Sequence, residues 1–256
     1  MLWNASAMTG YAIKASNGEI GTVSDMIFED ADWAIRWLVV DTGEWLPGRK
    51  VFLPVSALGT PDPGASHLPV NLTMRQIEES PAVDMSQTVS SGTESLLHDY
   101  YGLPRIRNKA GGGVHVAMAA ASGAPDVRYL PPVRLPDAAD SEAAVREPNL
   151  HGLSAITGST IEATDGDIGH AEDFLIDTAS WQVRYMTVHT ANWWPGEKVL
   201  ISPRSVDWID VARGIIQLDV TRQKVKDSPS YLAAETVDGA FEESFDSYYG
   251  IRFIRR

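Results

Sequence analysis

The sequence predicts a mainly β protein made of two small antiparallel β-barrels, each followed by short C-terminal helices. The first observation is an internal repeat, in which residues 9–55 and 157–203 carry the same pattern of glycine, tryptophan and proline. The second is that each copy contains short segments rich in β-branched and aromatic residues, separated by turn signals. Short strands at regular spacing with such turns are typical of antiparallel barrels and sandwiches.

The two copies keep one constant register along the chain. Gly10 corresponds to Gly158, a shift of 148 positions, and the same shift still relates Tyr101 to Tyr249 near the end of each copy. A constant shift over about 100 residues indicates the duplication of one domain-sized folding unit, not a short-repeat solenoid. Because a fused homodimer keeps an approximate form of its isologous interface, we expect a pseudo-twofold relation between the copies.

Domain boundaries follow from the repeat. We expect one domain at residues 1–103 and a second at residues 150–256, each ending in a tail helix. Residues 104–149 between them are dominated by alanine, glycine and proline, a composition typical of a linker.

Each copy is predicted to contain five strands, of which the first two are joined by a turn. From the second strand onward, the predicted segments are Thr22–Glu29, Ala34–Asp41, Lys50–Pro54 and His67–Leu72 in the first copy, and His170–Asp177, Gln182–His189, Lys198–Ser202 and Gly214–Val220 in the second. Their β-branched and aromatic residues favour strands. A Trp-x-Pro-Gly connection reverses the chain between the third and fourth strands.

Two glycines in the first part of each repeat, four in all, are predicted to be structural. They are Gly18, Gly21, Gly166 and Gly169. We expect Gly18 and Gly166 to have positive φ in the hairpin turn, where any side chain would add strain.

Two helical pieces close each copy. Thr73 and Gln76 fit the capping-box pattern at the start of a short helix. A longer helix is predicted at Thr93–Tyr101 and at Gly239–Tyr249, and we expect it to pack on the barrel. In the second copy, the residues of its apolar stripe are Phe241, Phe245 and Tyr248.

Composition limits the classes of function and compartment. The formal net charge of −13 opposes direct contact with a nucleic-acid backbone. Cysteine is absent, so disulfides and thiolate chemistry are excluded. No apolar run is long enough for a membrane span, and the N-terminal residues do not resemble a secretory signal, so we expect a cytoplasmic protein without membrane insertion.

The repeated motifs resemble a known family. Glycines at the positions of Gly10, Gly18 and Gly21 are followed by WAIRW at 33–37 and WLPGRKV at 45–51. This pattern is similar to that of the PRC-barrel family, which includes the cytoplasmic domain of the photosynthetic reaction-centre H subunit and the C-terminal domain of a ribosome maturation factor. The resemblance implies a small, mostly antiparallel barrel for each copy, and a scaffold for contact with proteins with no catalytic residue set.

Residues able to support catalysis or metal binding do not form a recognisable motif. The six histidines match no metal-ligand spacing, and none recurs in the other copy. His189 is expected to face Asp173 if the second and third strands pair, although a strand-end histidine is the simpler interpretation. We therefore assign no catalytic, cofactor-binding or metal site, and expect that the protein is not an enzyme.

Tryptophans in the Trp-x-Pro-Gly connections are the candidate interface residues. Trp45 corresponds to Trp193, and the second copy adds Trp194. One interpretation is that these rings pack on their own barrel or on the sister copy; the other is that they anchor a partner, since tryptophan is enriched at interface hot spots.

These observations predict a non-enzymatic protein–protein interaction or assembly module whose partner is unknown. The two repeats are expected to pair within the chain, and a homodimer is an open alternative. One alternative function is a ribosome- or RNA-maturation accessory acting through a ribosomal protein; another is an accessory of a membrane complex, photosynthetic or respiratory.

Overall fold

The computed structural model describes residues 2–62, 64–81, 91–103, 149–190, 198–229, 244–245 and 247–249. Nearly all of the predicted linker lies outside these residues, as do Trp193, Trp194 and the start of the second tail helix. Described residues of both copies belong to one compact unit. The domain boundaries therefore stay a prediction.

The two copies contain corresponding elements in the same order along the chain. The first copy contains strands β1 (Leu2–Asn4), β2 (Ala12–Ala15), β3 (Gly18–Glu29), β4 (Ile35–Asp41), β5 (Lys50–Pro54) and β6 (His67–Pro69), and helices α1 (Ala5–Met8), α2 (Met74–Glu78) and α3 (Ser91–Tyr101). The second copy contains strands β7 (Leu150–Gly152), β8 (Thr160–Ala163), β9 (Gly166–Asp177), β10 (Gln182–His189), β11 (Lys198–Ile201), β12 (Val206–Asp210) and β13 (Ile215–Leu218), and helices α4 (Leu153–Ile156) and α5 (Arg222–Lys226). The prediction of a mainly β protein is confirmed.

The strands form two sheets. One has the order β5-β4-β3-β2-β6, with β7 added on β3; the other has the order β11-β10-β9-β8-β13-β12, with β1 added on β9. Among the described residues, neither chain of paired strands closes into a ring. Most strand pairs are antiparallel as expected, but β2–β6 and β8–β13 are parallel. The connection from β5 crosses to the opposite end of the sheet, so β6 arrives beside β2 in the same direction.

The first strand of each copy is exchanged into the sheet of the other copy. β1 pairs antiparallel with β9, with Leu2 opposite Asp177. β7 pairs antiparallel with β3, with Leu150 opposite Glu29. These two pairings correspond residue for residue at the repeat shift of 148 positions. Each sheet is thus completed by three residues that come from the other half of the chain.

One hydrophobic core is shared by both copies. It includes Phe28 and Trp33 from the first copy and Phe174 and Trp181 from the second, all at most 7% exposed. Because residues of both copies fill the same core, neither copy can be removed without exposing apolar surface of the other.

The outer face of each sheet is covered by a tail helix. Leu97 of α3 is fully buried in a cluster with Trp37 and Phe52. In the second copy, Phe245 lies in a cluster with Tyr185. Each cluster also includes the first residue of the exchanged strand, so helix packing and strand exchange depend on each other. These residues are Leu150 in the first cluster and Leu2 in the second.

The predictions for the ends of the helices are confirmed in the first copy, and those for the second tail helix are confirmed only in part. Thr73 and Gln76 form the predicted capping box at the start of α2. Gly102 has a φ of 64°, as expected for the C-terminal end of α3. In the second tail helix, Phe245 is buried, Tyr248 is 36% exposed and Phe241 lies outside the described residues. Tyr248 lies at the edge of the contact because its hydroxyl donates to the Lys224 carbonyl at 2.8 Å.

Alkaline pH should weaken the attachment of both tail helices. Burial raises the pKa of Tyr101 and of Tyr249 to about 12, above the usual value near 10. Since the unfolded chain loses these protons first, their stabilisation is complete below about pH 10 and is lost as pH rises towards 12. Chemical denaturation at pH 9, 10 and 11 should show this fall. Tyr101→Phe combined with Tyr249→Phe should flatten it, and an unchanged slope in the double variant would contradict the assignment.

Close contact between strands explains one glycine in each copy. Gly21 and Gly169 have φ values of 139° and 155°, and a Cβ built on either would lie 2.0 Å from a backbone carbonyl oxygen, that of Asp41 or of His189. Such a distance is far below van der Waals contact, so only glycine fits without movement of the neighbouring strand.

The hairpin glycines differ from each other. Gly166 has the expected positive φ, 133°. Gly18 is not among the glycines with positive φ, and the expectation for this residue is wrong. Gly18 lies opposite Ala15 and Gly166 lies opposite Ala163, so the pairing of the two hairpins is the same and does not explain the difference in φ.

Among the described residues, no helix combines the length and the apolar character that a membrane crossing requires.

Candidate interaction site at the junction of the two copies

Two tight turns meet at the junction between the copies. Each turn ends in a tryptophan with left-handed backbone, Trp33 at φ 58° and Trp181 at φ 51°. A bulky residue rarely has this conformation, which costs about 1–2 kcal/mol. Both rings are nevertheless buried, and the Trp33 ring stacks on Phe28 at a centroid distance of 4.8 Å. Burial of the rings offsets the backbone strain.

The strained backbone directs each tryptophan carbonyl at the other copy. The N–H of Ile35 donates to the carbonyl of Trp181 at 2.7 Å, and the N–H of Val183 donates to the carbonyl of Trp33 at 2.9 Å. Between them, Ala34 lies opposite Gln182 in an isolated antiparallel bridge. Ala34 and Gln182 are themselves counterparts in the repeat. Each of these backbone hydrogen bonds therefore occurs twice, once from the first copy to the second and once from the second to the first.

A second pair of reciprocal contacts fixes the short helices α1 and α4. Ser6 donates to Asp173 from its N–H at 3.1 Å and from its hydroxyl at 2.5 Å. Ser154 donates to Asp25 in the same way, at 3.1 and 2.5 Å. A carboxylate at the first turn of a helix satisfies donors that lack partners within the helix. Each copy therefore caps the first helix of the other.

Removing one of these capping carboxylates should destabilise the protein measurably. We expect Asp25→Ala to lower the free energy of unfolding by about 1–2 kcal/mol, because two donors of Ser154 lose their acceptor. A double-mutant cycle with Ser154→Ala should give a coupling energy of at least about 0.5 kcal/mol. The control is Asp207→Ala on the exposed surface of β12, which should change stability by less than about 0.5 kcal/mol. A coupling energy of zero would mean that the contact contributes nothing.

The junction is not the same on both sides. Asp30 accepts from the N–H of Asn149 at 2.9 Å and lies 3.3 Å from Nε2 of His151. The corresponding positions on the other side hold Thr178 and Trp3, which cannot form this contact between a carboxylate and an imidazole. Burial acts to raise the pKa of Asp30, but the hydrogen bonds from His151 and Asn149 outweigh it and hold the pKa below its ordinary value. The lowered pKa favours the ionised form of Asp30, whose carboxylate contacts Asn149 and His151 of the other copy.

A cavity of about 410 Å³ lies beside this asymmetric contact. It is lined by residues 30–33 of the first copy and by residues 182–184, 202–204 and 206 of the second. Its charged groups are Asp30 and Asp32 on one wall and Arg184 and Arg204 on the other. Residues of both copies therefore line this open pocket, which contains acidic and basic groups.

The interface tryptophans predicted from the sequence are only partly described. Trp45 is half-buried and packs against the shared core, while Trp193 and Trp194 lie outside the described residues. Their interface role stays a prediction. Sequence reasoning missed the junction tryptophans, Trp33 and Trp181. The available signal was a tryptophan kept at the same repeat position directly after a short polar turn.

The expected proximity of His189 to Asp173 is not found. β9 and β10 do pair, but the register places His189 opposite His170 and Thr187 opposite Asp173. Thr187, two residues before His189, takes the position opposite Asp173, and the Asp173 carboxylate accepts from the hydroxyl of Ser6. In the described part of the chain, no three His, Asp or Glu side chains are grouped so that they could hold a metal ion.

Comparison with known proteins supports the resemblance seen in the motifs. A family model of the PRC-barrel domain matches residues 9–71. No curated protein matches the chain. The matched segment contains β2 to β6, with Gly21, Asp25 and Trp33 of the junction. Residues 9–71 therefore match the PRC-barrel domain family.

Proposed function

We propose that this protein is a non-enzymatic module for protein–protein interaction or assembly, built from two PRC-barrel domains that pair within one chain. The family match supports the general role. The observation that carries the paired arrangement is the reciprocal strand exchange, in which β1 joins β9 and β7 joins β3. Two domains joined in this way present one rigid surface to a partner, which lowers the entropic cost of binding.

The arrangement is best explained by tandem duplication with a pseudo-twofold relation. The contact of Ser6 with Asp173 has its counterpart in Ser154 with Asp25. An isologous interface requires such reciprocity, because each contact must occur twice with the partners exchanged. Ala34 and Gln182 are counterparts in the repeat, so the bridge between them supports an axis that passes near this contact. On this proposal, residues 150–256 form a second domain of the same family, and each sheet belongs to a barrel-like domain.

The most strongly perturbed pKa values belong to residues in structural contacts, which supports a non-enzymatic role for the protein. The largest perturbations belong to Tyr101 and Tyr249, which are buried under the tail helices. A catalytic acid or base needs a pKa near the working pH and access to a substrate. Two tyrosines with a pKa of about 12 inside helix contacts meet neither requirement.

The charge of the chain favours a basic protein partner. A net charge of −13 attracts a positively charged surface and repels phosphate backbones. Attraction of this kind raises the association rate and weakens with added salt. We therefore propose a partner protein with a basic face, bound without direct contact to nucleic acid.

The test is capture followed by reconstitution. The full chain would be crosslinked in cells of its native organism and purified with its partners, and each candidate would be expressed and titrated against the chain by calorimetry. An unrelated protein of similar isoelectric point is the control for non-specific attraction. A 1:1 or symmetric complex with a dissociation constant below about 10 μM that weakens at higher salt would support the proposal.

Partner identity would then decide between the more specific roles. A ribosomal protein would indicate a maturation accessory, and a subunit of a membrane complex would indicate an accessory of that complex. If no purified candidate binds and the chain instead turns over a small molecule, the proposal is wrong.

A further inference from the structure

The second copy ends its sheet in a strand that the first copy does not form. This strand is β12, and among the described residues it has β13 as its strand neighbour on one side and no strand on the other. A strand in this position presents a row of backbone N–H and C=O groups that can pair with another chain. Proteins usually cover or interrupt such an edge, so a difference between the two copies is informative.

The first copy interrupts the corresponding edge. Residues 58–62 correspond to residues 206–210 of β12, but they form isolated bridges instead of a strand. Pro61 lies where the second copy has Ile209. Proline has no backbone N–H, so it cannot donate to an added strand. The fold of the repeat therefore does not require an edge that is able to pair.

The register shows which way the backbone of Ile209 points. In the first copy, the N–H of Asp62 donates to the carbonyl of His67 at 3.0 Å, and the corresponding pair of the second copy has the same register. Because hydrogen-bonded and non-hydrogen-bonded pairs alternate along an antiparallel ladder, the preceding residue directs its N–H and C=O away from the neighbouring strand. That residue is Pro61 in the first copy and Ile209 in the second. Only the second copy thus has a backbone donor on the outer edge at this position.

The side chains of β12 divide between the core and an outward face. Val206 and Ile209 pack against the shared core, and a bulge lies between Val206 and Trp208. Side chains of a strand alternate, and a bulge adds one residue to one face, so Asp207, Trp208 and Asp210 share the outward face. Trp208 is half-buried and belongs to none of the hydrophobic clusters formed by the described residues. Its indole is therefore available to a partner.

Charge on this edge selects the kind of strand that can be added. β12 and β13 together contain two carboxylates and no cationic side chain, and the nearest arginines lie in the flanking turns. Lysine or arginine on an added strand would gain from the exposed Asp207 carboxylate and from the face of the Trp208 ring. A second copy of β12 would instead add two more carboxylates to the same face, and like charges repel.

We propose that β12 binds an extended basic segment of a partner protein by strand addition. The outward N–H and C=O of Ile209 would pair with the backbone of that segment, while Asp207 and Trp208 would select lysine or arginine at alternate positions. This inference rests on the proposed interaction function, since it names the chemistry by which the basic partner docks.

Binding to the full chain can be measured by calorimetry and by the backbone amide chemical shifts of β12. The probe is an acetylated and amidated heptapeptide in which lysine and valine alternate. One control peptide carries glutamate in place of lysine. The other keeps lysine but is N-methylated at every valine, which removes the backbone donors along one edge.

Two variants of the chain test the two parts of the proposed site. Ile209→Pro removes the outward donor, and the Pro61 of the first copy shows that this backbone accommodates proline. Asp207→Lys reverses the selecting charge. The matched control is Glu19→Lys, which makes the same change in charge at an exposed position in the sheet of the first copy. Circular dichroism would establish that each variant is folded, and if Ile209→Pro is not, Asp207→Lys and the N-methylated peptide carry the test.

The lysine peptide should bind with a dissociation constant below about 1 mM and should shift the amide of Ile209. The glutamate and N-methylated peptides should bind about tenfold more weakly or not at all, and Ile209→Pro should weaken the lysine peptide by about the same factor. Asp207→Lys should weaken it about threefold or more, whereas Glu19→Lys should leave the affinity within about twofold.

Four results would overturn the proposal. They are the absence of binding at millimolar concentration, equal binding of the N-methylated peptide, equal loss of affinity in Asp207→Lys and Glu19→Lys, and a dimer of the chain that Ile209→Pro dissociates. The last would show that a second copy occupies the edge. If a purified partner protein binds the chain but binds Ile209→Pro equally well, the assembly role stands and this site is wrong.

Discussion

Gly21→Ala should be among the most damaging single substitutions in this protein, with a loss of about 3 kcal/mol or more in the free energy of unfolding. The added Cβ would lie 2.0 Å from the carbonyl oxygen of Asp41, and the φ of 139° is unfavourable for any residue with a side chain. Overpacking typically costs 1–3 kcal/mol, and a left-handed backbone adds about 1–2 kcal/mol. Gly169→Ala should behave alike, since its Cβ would meet the carbonyl oxygen of His189 at the same distance.

Gly18→Ala is the matched control for this prediction. A Cβ at Gly18 would lie 2.5 Å from Sδ of Met74, which is part of a flexible side chain that can move away. The loss should therefore stay below about 1 kcal/mol. Chemical denaturation of the variants would compare them, and equal losses for Gly18→Ala and Gly21→Ala would contradict the strand-contact explanation.

Trp33→Ala should cost about 3–5 kcal/mol and should weaken both copies together. The buried ring stacks on Phe28 within the shared core, and its removal leaves a large cavity. Because both copies share that core, thermal unfolding should remain a single transition at a lower melting temperature. Two separated transitions would mean that the copies unfold independently.

The left-handed backbone makes a sharper comparison possible at the same position. Trp33→Gly and Trp33→Ala both remove the ring, but glycine accepts a φ of 58° without strain. We therefore expect Trp33→Gly to be more stable than Trp33→Ala by about 1 kcal/mol, the reverse of the order in an ordinary strand. At Trp37, which lies within β4 and has no positive φ, the alanine variant should be the more stable of the two.

Local sequence patterns predicted the central strands well. Lys50–Pro54 has the predicted bounds, and the strand predicted at Ala34–Asp41 begins one residue later. These segments are long enough for their β-branched and aromatic residues to dominate the local preference. The capping box at Thr73 was equally predictable, because its donors and acceptors lie within four residues.

The junction could not be predicted in the same way. Strands β1 and β7 have only three residues each, and they are ordered by pairing with residues far away in sequence. Nothing in Leu2–Asn4 indicates that its partner is β9 of the other copy. The repeat indicated that the copies would be related, but not which elements they would exchange. The junction cavity is lined by residues of both copies that are distant in sequence, so it could not be predicted either.

Strand exchange has a consequence for the order of events during synthesis. When the first copy leaves the ribosome at residue 103, the outer edge of β3 still lacks β7, whose last residue is Gly152. At about 5–20 residues per second, the ribosome needs roughly 2–10 seconds to produce the missing segment. During that interval the nascent chain presents an unpaired strand edge, a surface prone to aggregation. We expect the first copy to remain a client of ribosome-associated chaperones at least until Gly152 has emerged, so that its sheet is completed only while the second copy is being made.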